Sequence, residues 1–164
     1  MSFSPIRLNH AVLFVEELER SVTFYQSTFE MQVVTREPRA NAAFLRLPRS
    51  GNHHDLGLFA VGGEGGPKRR GAIGLHHLAW QLDTIDELVE AELVLRASGA
   101  LTGQSSHGAT KSLYGVDPDG NEFEVKWMLP RAAWGDYENS APVDLIAEAR
   151  RWSGVHTAPS FEGT

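Results

Sequence analysis

A chain of 164 residues, 41% of them hydrophobic, suffices for one compact domain with a real core, and several domains are not expected. A formal net charge of -6 and an isoelectric point near 5.6 argue against a general binder of nucleic acid or anionic membrane, because phosphate contacts need a basic surface. With no cysteine there is no disulfide, thiolate ligand or cysteine nucleophile, so any metal must be held by histidine and carboxylate.

The N-terminal "MSFSPIRLNH" lacks an apolar signal core, and no run approaches the ~20 apolar residues of a membrane span, so a cytoplasmic protein without membrane contact is expected. The stretch "LNHAVLFVEELERSVTFYQSTFEMQVV" reads as an apolar strand containing His10, followed by an amphipathic helix in which Leu18, Val22, Tyr25 and Phe29 recur at helical spacing. Three strand-like runs follow, "MQVVT", "AAFLRL" and "HHDLGLFAV", the last preceded by the turn "PRSGN". The one basic cluster, Lys68, Arg69 and Arg70, falls in "GGEGGPKRRG", which reads as a solvated glycine-rich loop.

From Leu75 the same order returns. "LHHLAWQLDTIDELVEAELVLRASGA" is a strand and then a helix capped by Asp83 or Thr84, with Ile85, Leu88, Leu93 and Leu95 as apolar bulk and Gly99 at its end. A weak run near "ALTG", then "KSLYGV" and "NEFEVKW", complete it, with "DPDGN" as the turn before the last strand. His10 and His77 occupy the same place in the two copies. The repeat predicts an α+β chain of two βαβββ modules, residues 6–61 and 73–128, whose sheets pair face to face within one domain spanning 1–164. Beyond them, residues 130–164 form a C-terminal extension. There "NSAPVDLIAEARRW" predicts a helix capped by Ser140 or Asn139, covering a sheet edge or forming a homodimer contact, and "HTAPSFEGT" is expected to be loose.

Strand phase orients the polar residues. In "NEFEVKW", Phe123, Val125 and Trp127 form an apolar face suited to packing on a helix, which leaves Glu122, Glu124 and Lys126 on the other. In "GLHHLAWQL", His76, Leu78, Trp80 and Leu82 alternate with His77, Ala79 and Gln81, so His77 rather than His76 shares the polar interior. Both faces of "LNHAVLFV" are largely apolar, so periodicity leaves His10 unoriented. Counting from the Gly-Asn turns pairs Asp55, rather than His54, with Glu124.

Residues 6 to 127, with the His10 and His77 strands and the "DPDGN" turn before Glu124, resemble the vicinal oxygen chelate superfamily. That group includes glyoxalase I, antibiotic-resistance proteins and type I extradiol ring-cleavage dioxygenases. The resemblance implies a vicinal oxygen chelate fold with a C-terminal helix, and metal ligands at His10, His77 and Glu124. Two imidazoles and one carboxylate form a facial triad that leaves positions open for substrate and O2 on Fe(II). "HHDLGLF" and "SHGATKSLYGVDPDGNEFEV" resemble the extradiol branch in particular. By that resemblance His54 is the acid/base residue, Tyr114 hydrogen-bonds the substrate oxygens, and His107 lies near the substrate hydroxyl or ring. The implied activity is cleavage of a catecholic aromatic by O2 with Fe(II), with Mn, Zn or Ni as alternative metals. The same fold also serves metal-dependent lyases, isomerases and thiol transferases, and non-catalytic binders of aromatic ligands. A small aromatic substrate, O2 and a second copy of the chain are the expected partners. Two departures touch the scaffold: Glu30 stands where a glycine is common after the first helix, and Glu16-Glu17 where an aspartate is usual.

Overall fold

The computed structural model describes residues 2–63, 66, 71, 73–135 and 140–158. The basic run Lys68 to Arg70, the alternative cap Asn139 and residues 159–164 lie outside these. The chain forms two compact units, one holding the described residues up to 66 and the other those from 71 onward.

In the first unit, β1 (Ala11–Val15) leads into α1 (Leu18–Phe29), then β2 (Gln32–Glu37), β3 (Ala42–Arg46) and β4 (Leu56–Ala60). The sheet order is β1-β4-β3-β2, with β1 parallel to β4 and the other pairs antiparallel. Alternation in β1 buries Leu13 and Val15 and turns Val12 and Phe14 to the opposite face. Leu56 and Leu58 are fully buried beside them, and burying each such side chain is worth about 2 kcal/mol. Ser21, Val22 and Tyr25 of α1 close this core. The helix ends on Glu30 in the left-handed region at φ 55°, the conformation that makes glycine common there.

The second unit repeats the plan with β5 (His77–Leu82), α2 (Ile85–Ala97), β6 (Leu101–His107), β7 (Thr110–Val116) and β8 (Glu122–Met128). Strand β9 (Ser140–Ala141) joins the edge, giving the order β5-β8-β7-β6-β9. Thr84 caps α2 in a reciprocal capping box with Glu87. Ile85, Leu88 and Leu95 are buried, whereas Leu93 is 63% exposed and adds nothing to the core. Phe123, Val125 and Trp127 are buried on the helix side of β8. The approach is tightest at Gly115, where a Cβ would stand 2.4 Å from the Phe123 ring.

The C-terminal helix α3 (Leu145–Trp152) begins later than its sequence suggests, because Asp144 caps it by accepting the Ala147 N–H. Ser140 instead pairs with His107 and Ala141 with Ser106 along the β6 edge. Pro142 separates the two structures, since it cannot donate to a strand ladder. Helix α3 packs on α2 and is tied to the sheet by Glu148, whose carboxylate lies 2.8 Å from the buried Lys111 ammonium.

Residues 156–158 are held rather than loose. His156 Nδ1 lies 2.6 Å from Asp83 Oδ2, and the Thr157 and Ala158 N–H groups donate to Asp83 Oδ1. The His156 hydrogen bond is the main cause holding the Asp83 carboxyl below its usual range, and the same contact raises His156. Stability from His156 is full below its unfolded pKa of about 6.5 and is lost as pH rises through its raised folded value. That from Asp83 is present above about 4 and is lost as pH falls through its depressed folded value. The tail is therefore held most firmly between about pH 4 and 6.5. Amide exchange at Thr157 and Ala158, corrected for its intrinsic pH dependence, is expected to accelerate as pH rises above neutrality. Asp83→Asn should remove that dependence, and protection that stays constant to pH 9 would count against the clamp.

Candidate active site

Each unit gathers its own polar cluster. In the first, His10 immediately precedes β1 and shares the phase of Val12 and Phe14, so it stands on the face turned away from α1. The His10 and His54 rings lie 4.5 Å apart, and the edge of Phe44 meets His54 at 5.1 Å between centroids. Phe44 pairs with Gly57, and a Cβ at Gly57 would stand 3.3 Å from both Phe44 and Val12. The three aromatic rings thus occupy one side of the sheet.

His54 and Asp55 have different surroundings, and it is the His54 ring that lies beside His10. Residues 52–55 precede β4 in a turn, where period-two counting no longer applies. Asp55 is buried and its carboxylate accepts from the Leu47 N–H, Ser50 Oγ and Asn52 Nδ2, each at 2.7 Å. Asn52 also donates to the Asn9 carbonyl at 3.0 Å, and Asp55 O accepts the Ala11 N–H at 3.0 Å. Asp55 therefore braces the backbone on both sides of His10, and His54 is the residue left beside the His10 ring. Desolvation is the main cause lowering the His54 pKa, followed by repulsion from His10 and His53, with Asp55 opposing. These effects favour the neutral imidazole of His54, the form that can accept a proton.

In the second unit the parallel register β5/β8 places His77, Ala79 and Gln81 on the same face as Glu122, Glu124 and Lys126. His77 Nε2 lies 3.2 Å from Glu124 Oε2. His76 is more exposed and lies outside the strand, its Nδ1 2.6 Å from His77 Nδ1. Tyr114 pairs directly with Glu124, and its ring is 6.2 Å from that of His77. His107 Nε2 is 2.8 Å from the Tyr114 hydroxyl.

The "DPDGN" turn sets where β8 begins. Asp117 Oδ1 accepts the N–H groups of Asp119 and Asn121, Oδ2 accepts from Asn121 Nδ2, and Gly120 supplies the left-handed residue at φ 80°. With the turn fixed, alternation leads Glu124 to the polar face. It is buried there, where an unpaired carboxylate is costly.

Among the described residues no three or more His, Asp or Glu side chains are gathered around one possible metal position. What is gathered is the pair His77 and Glu124 in the second unit, and His10 with His54 in the first.

Residues 7–125 match the glyoxalase/bleomycin resistance protein/dioxygenase superfamily. The chain belongs to this superfamily. It is 35% identical over 128 residues to biphenyl-2,3-diol 1,2-dioxygenase 3 of Rhodococcus globerulus, covering 77% of this chain and 65% of that protein. It is 26% identical over 153 residues to metapyrocatechase 2 of Cupriavidus necator, covering 90% of this chain and 40% of that protein. The chain thus spans less than two thirds of the length of these curated relatives. The solved structure of a glyoxylase/bleomycin resistance protein/dioxygenase domain from Frankia sp. EAN1pec aligns with a TM-score of 0.67 at 21% identity, covering 78% of this chain and 96% of that one. The two mixed sheets with their helices are the vicinal oxygen chelate fold, here with a C-terminal helix.

Within this superfamily member one polar residue escaped the reading of the sequence. Ser105 Oγ lies 2.7 Å from His107 Nε2 and 3.2 Å from the Tyr114 hydroxyl, joining them into one network. The signal was available in principle, since Ser105 is two residues from His107 on the same strand and so shares its face. It was obscured because the predicted strand near "ALTG" is short, whereas β6 continues to His107.

Proposed function

We propose that the protein is a metal-dependent extradiol-type dioxygenase that cleaves a catecholic aromatic with O2. The observation that carries this reading is the approach of His77 Nε2 and Glu124 Oε2 to 3.2 Å, on the face that also presents Tyr114. Two donors to one cation, each about 2.1 Å from it and at right angles, stand about 3 Å apart. If His77 donates through Nδ1 to His76, its bare Nε2 lone pair faces the carboxylate, an arrangement that a cation satisfies. His10 is the third ligand in this proposal, and Fe(II) the preferred metal among Fe, Mn, Zn and Ni. The curated relatives are named as a biphenyl-2,3-diol dioxygenase and a metapyrocatechase, which supports an aromatic diol as substrate.

When bound, Fe(II) supplies a centre at which a catechol and O2 are joined electronically, so that no external reductant is needed. The chain's own groups do the rest. His54, neutral and beside His10, takes up and returns the proton that the oxygen chemistry requires. Tyr114 and His107, locked by Ser105, present a hydroxyl and an imidazole to the substrate oxygens and assist their deprotonation. Phe44 gives the site an apolar wall next to His54.

Oxygen uptake by protein reconstituted anaerobically with Fe(II), recorded with absorbance over a panel of catechols, tests this directly. One O2 consumed per catechol, with a yellow ring-opened semialdehyde product, is expected. Metal and catechol binding without O2 consumption would instead direct attention to lyase, transferase or binding roles.

A further inference from the structure

The polar face of the second sheet continues beyond Glu124. Lys126 lies one pleat further along β8, about 7 Å away, opposite Gln81 on one side and Ser112 on the other. One more pleat brings Met128 to the mouth of a cavity of about 500 Å3, lined by Gln81, Met128, Leu129, Arg131, Trp134 and His156 among others. That volume is in the range of small-molecule sites.

Two cations border this path, and among the described residues neither has a carboxylate partner. The Arg131 guanidinium lies 3.9 Å above the Trp134 ring, and Trp134 is itself anchored by its Nε1–H, which donates to Leu129 O at 2.7 Å. A guanidinium stacked in this way is already ordered, so pairing it costs little further entropy. Asp83, whose partners His156 and Thr157 line the cavity, is taken up by His156, Thr157 and Ala158. In a chain of net charge -6, an ordered arginine with no carboxylate partner among the described residues, beside a largely apolar cavity, is suited to an incoming anion.

We propose that this cavity is a subsite for a carboxylate-bearing arm of the substrate, with Arg131 receiving the carboxylate and Lys126 drawing it along the sheet face. The apolar stretch of Met128, Leu129 and Trp134 suits a short hydrocarbon arm, and the planar fork of Arg131 can receive a carboxylate bidentately at its end. The placement of the aromatic ring near Glu124 rests on the dioxygenase reading; the anion subsite does not.

The test therefore has two arms. The first is binding of 3-phenylpropanoate, which has no catechol to react, to the full-length protein by calorimetry or NMR. Arg131→Met is expected to weaken it at least 10-fold, Lys126→Met by less, and Arg131→Lys to retain part of the affinity. Absence of binding, or binding that Arg131→Met leaves unchanged, overturns the subsite. The second is the ratio of kcat/KM for 3-(3,4-dihydroxyphenyl)propanoate over its methyl ester, expected to exceed 10 and to fall towards one in Arg131→Met. A ratio near one in the unaltered protein overturns the connection to the substrate arm. Arginine-dependent binding of 3-phenylpropanoate with no turnover of any catechol upholds the subsite and removes the dioxygenase reading.

Discussion

Glu124→Ala is expected to lower metal affinity by on the order of 100-fold or more, so that the protein purified in dilute chelator contains almost no iron. Substituting groups that merely orient a metal ligand already costs about 10–100-fold, and loss of a ligand itself should exceed that. The charge also matters: among the described residues Glu124 is the one buried carboxylate on its sheet face, and as a proposed ligand it would offset cation charge where water is largely excluded. Glu124→Gln keeps the shape and removes the charge, so it should retain the far-ultraviolet spectrum of the native protein while losing most of the metal. His77→Ala should behave like Glu124→Ala, because it removes the partner at 3.2 Å. Metal content by mass spectrometry and affinity by calorimetry are the measurements. One equivalent of iron bound with native affinity in Glu124→Ala would remove this residue from the ligand set.

His54→Ala is expected to give the opposite pattern, with iron retained and turnover reduced by about 10²–10⁴-fold, the usual contribution of a positioned acid/base group. The ring packs beside His10 and against Phe44, so its loss opens a small space without removing a donor from the proposed metal. Asp55→Asn serves as the contrast. It disturbs the carboxylate that holds Leu47, Ser50 and Asn52, and should appear first as lower thermal stability. Native turnover in His54→Ala would end its assignment as the proton carrier.

The strand phases that placed Glu124 and His77 were legible because β5 and β8 each have one face packed against a helix. Burial of Phe123, Val125 and Trp127 forces the intervening residues to the other side, and a period of two leaves no freedom once one face is known. The capped start of α2 and the turn before β8 were legible for a similar reason, since both are local hydrogen-bonding patterns set by side chains a few residues apart. The start of α3 was missed although its cap is equally local. Asp144 and Ser140 are both competent caps, and the pairing of residues 140–141 with β6 decides between them.

The amino-acid sequence by itself thus determined the repeat, the strand order along the chain and which side of β8 its carboxylate occupies, because periodicity and turn chemistry are short-range. Tertiary structure alone decided that His54 rather than Asp55 stands beside His10, that Ser105 locks His107 to Tyr114, and that Arg131, stacked on Trp134, borders a cavity. Each of these depends on contacts between separate segments, or on a turn where alternation lapses, and no spacing within one segment encodes them.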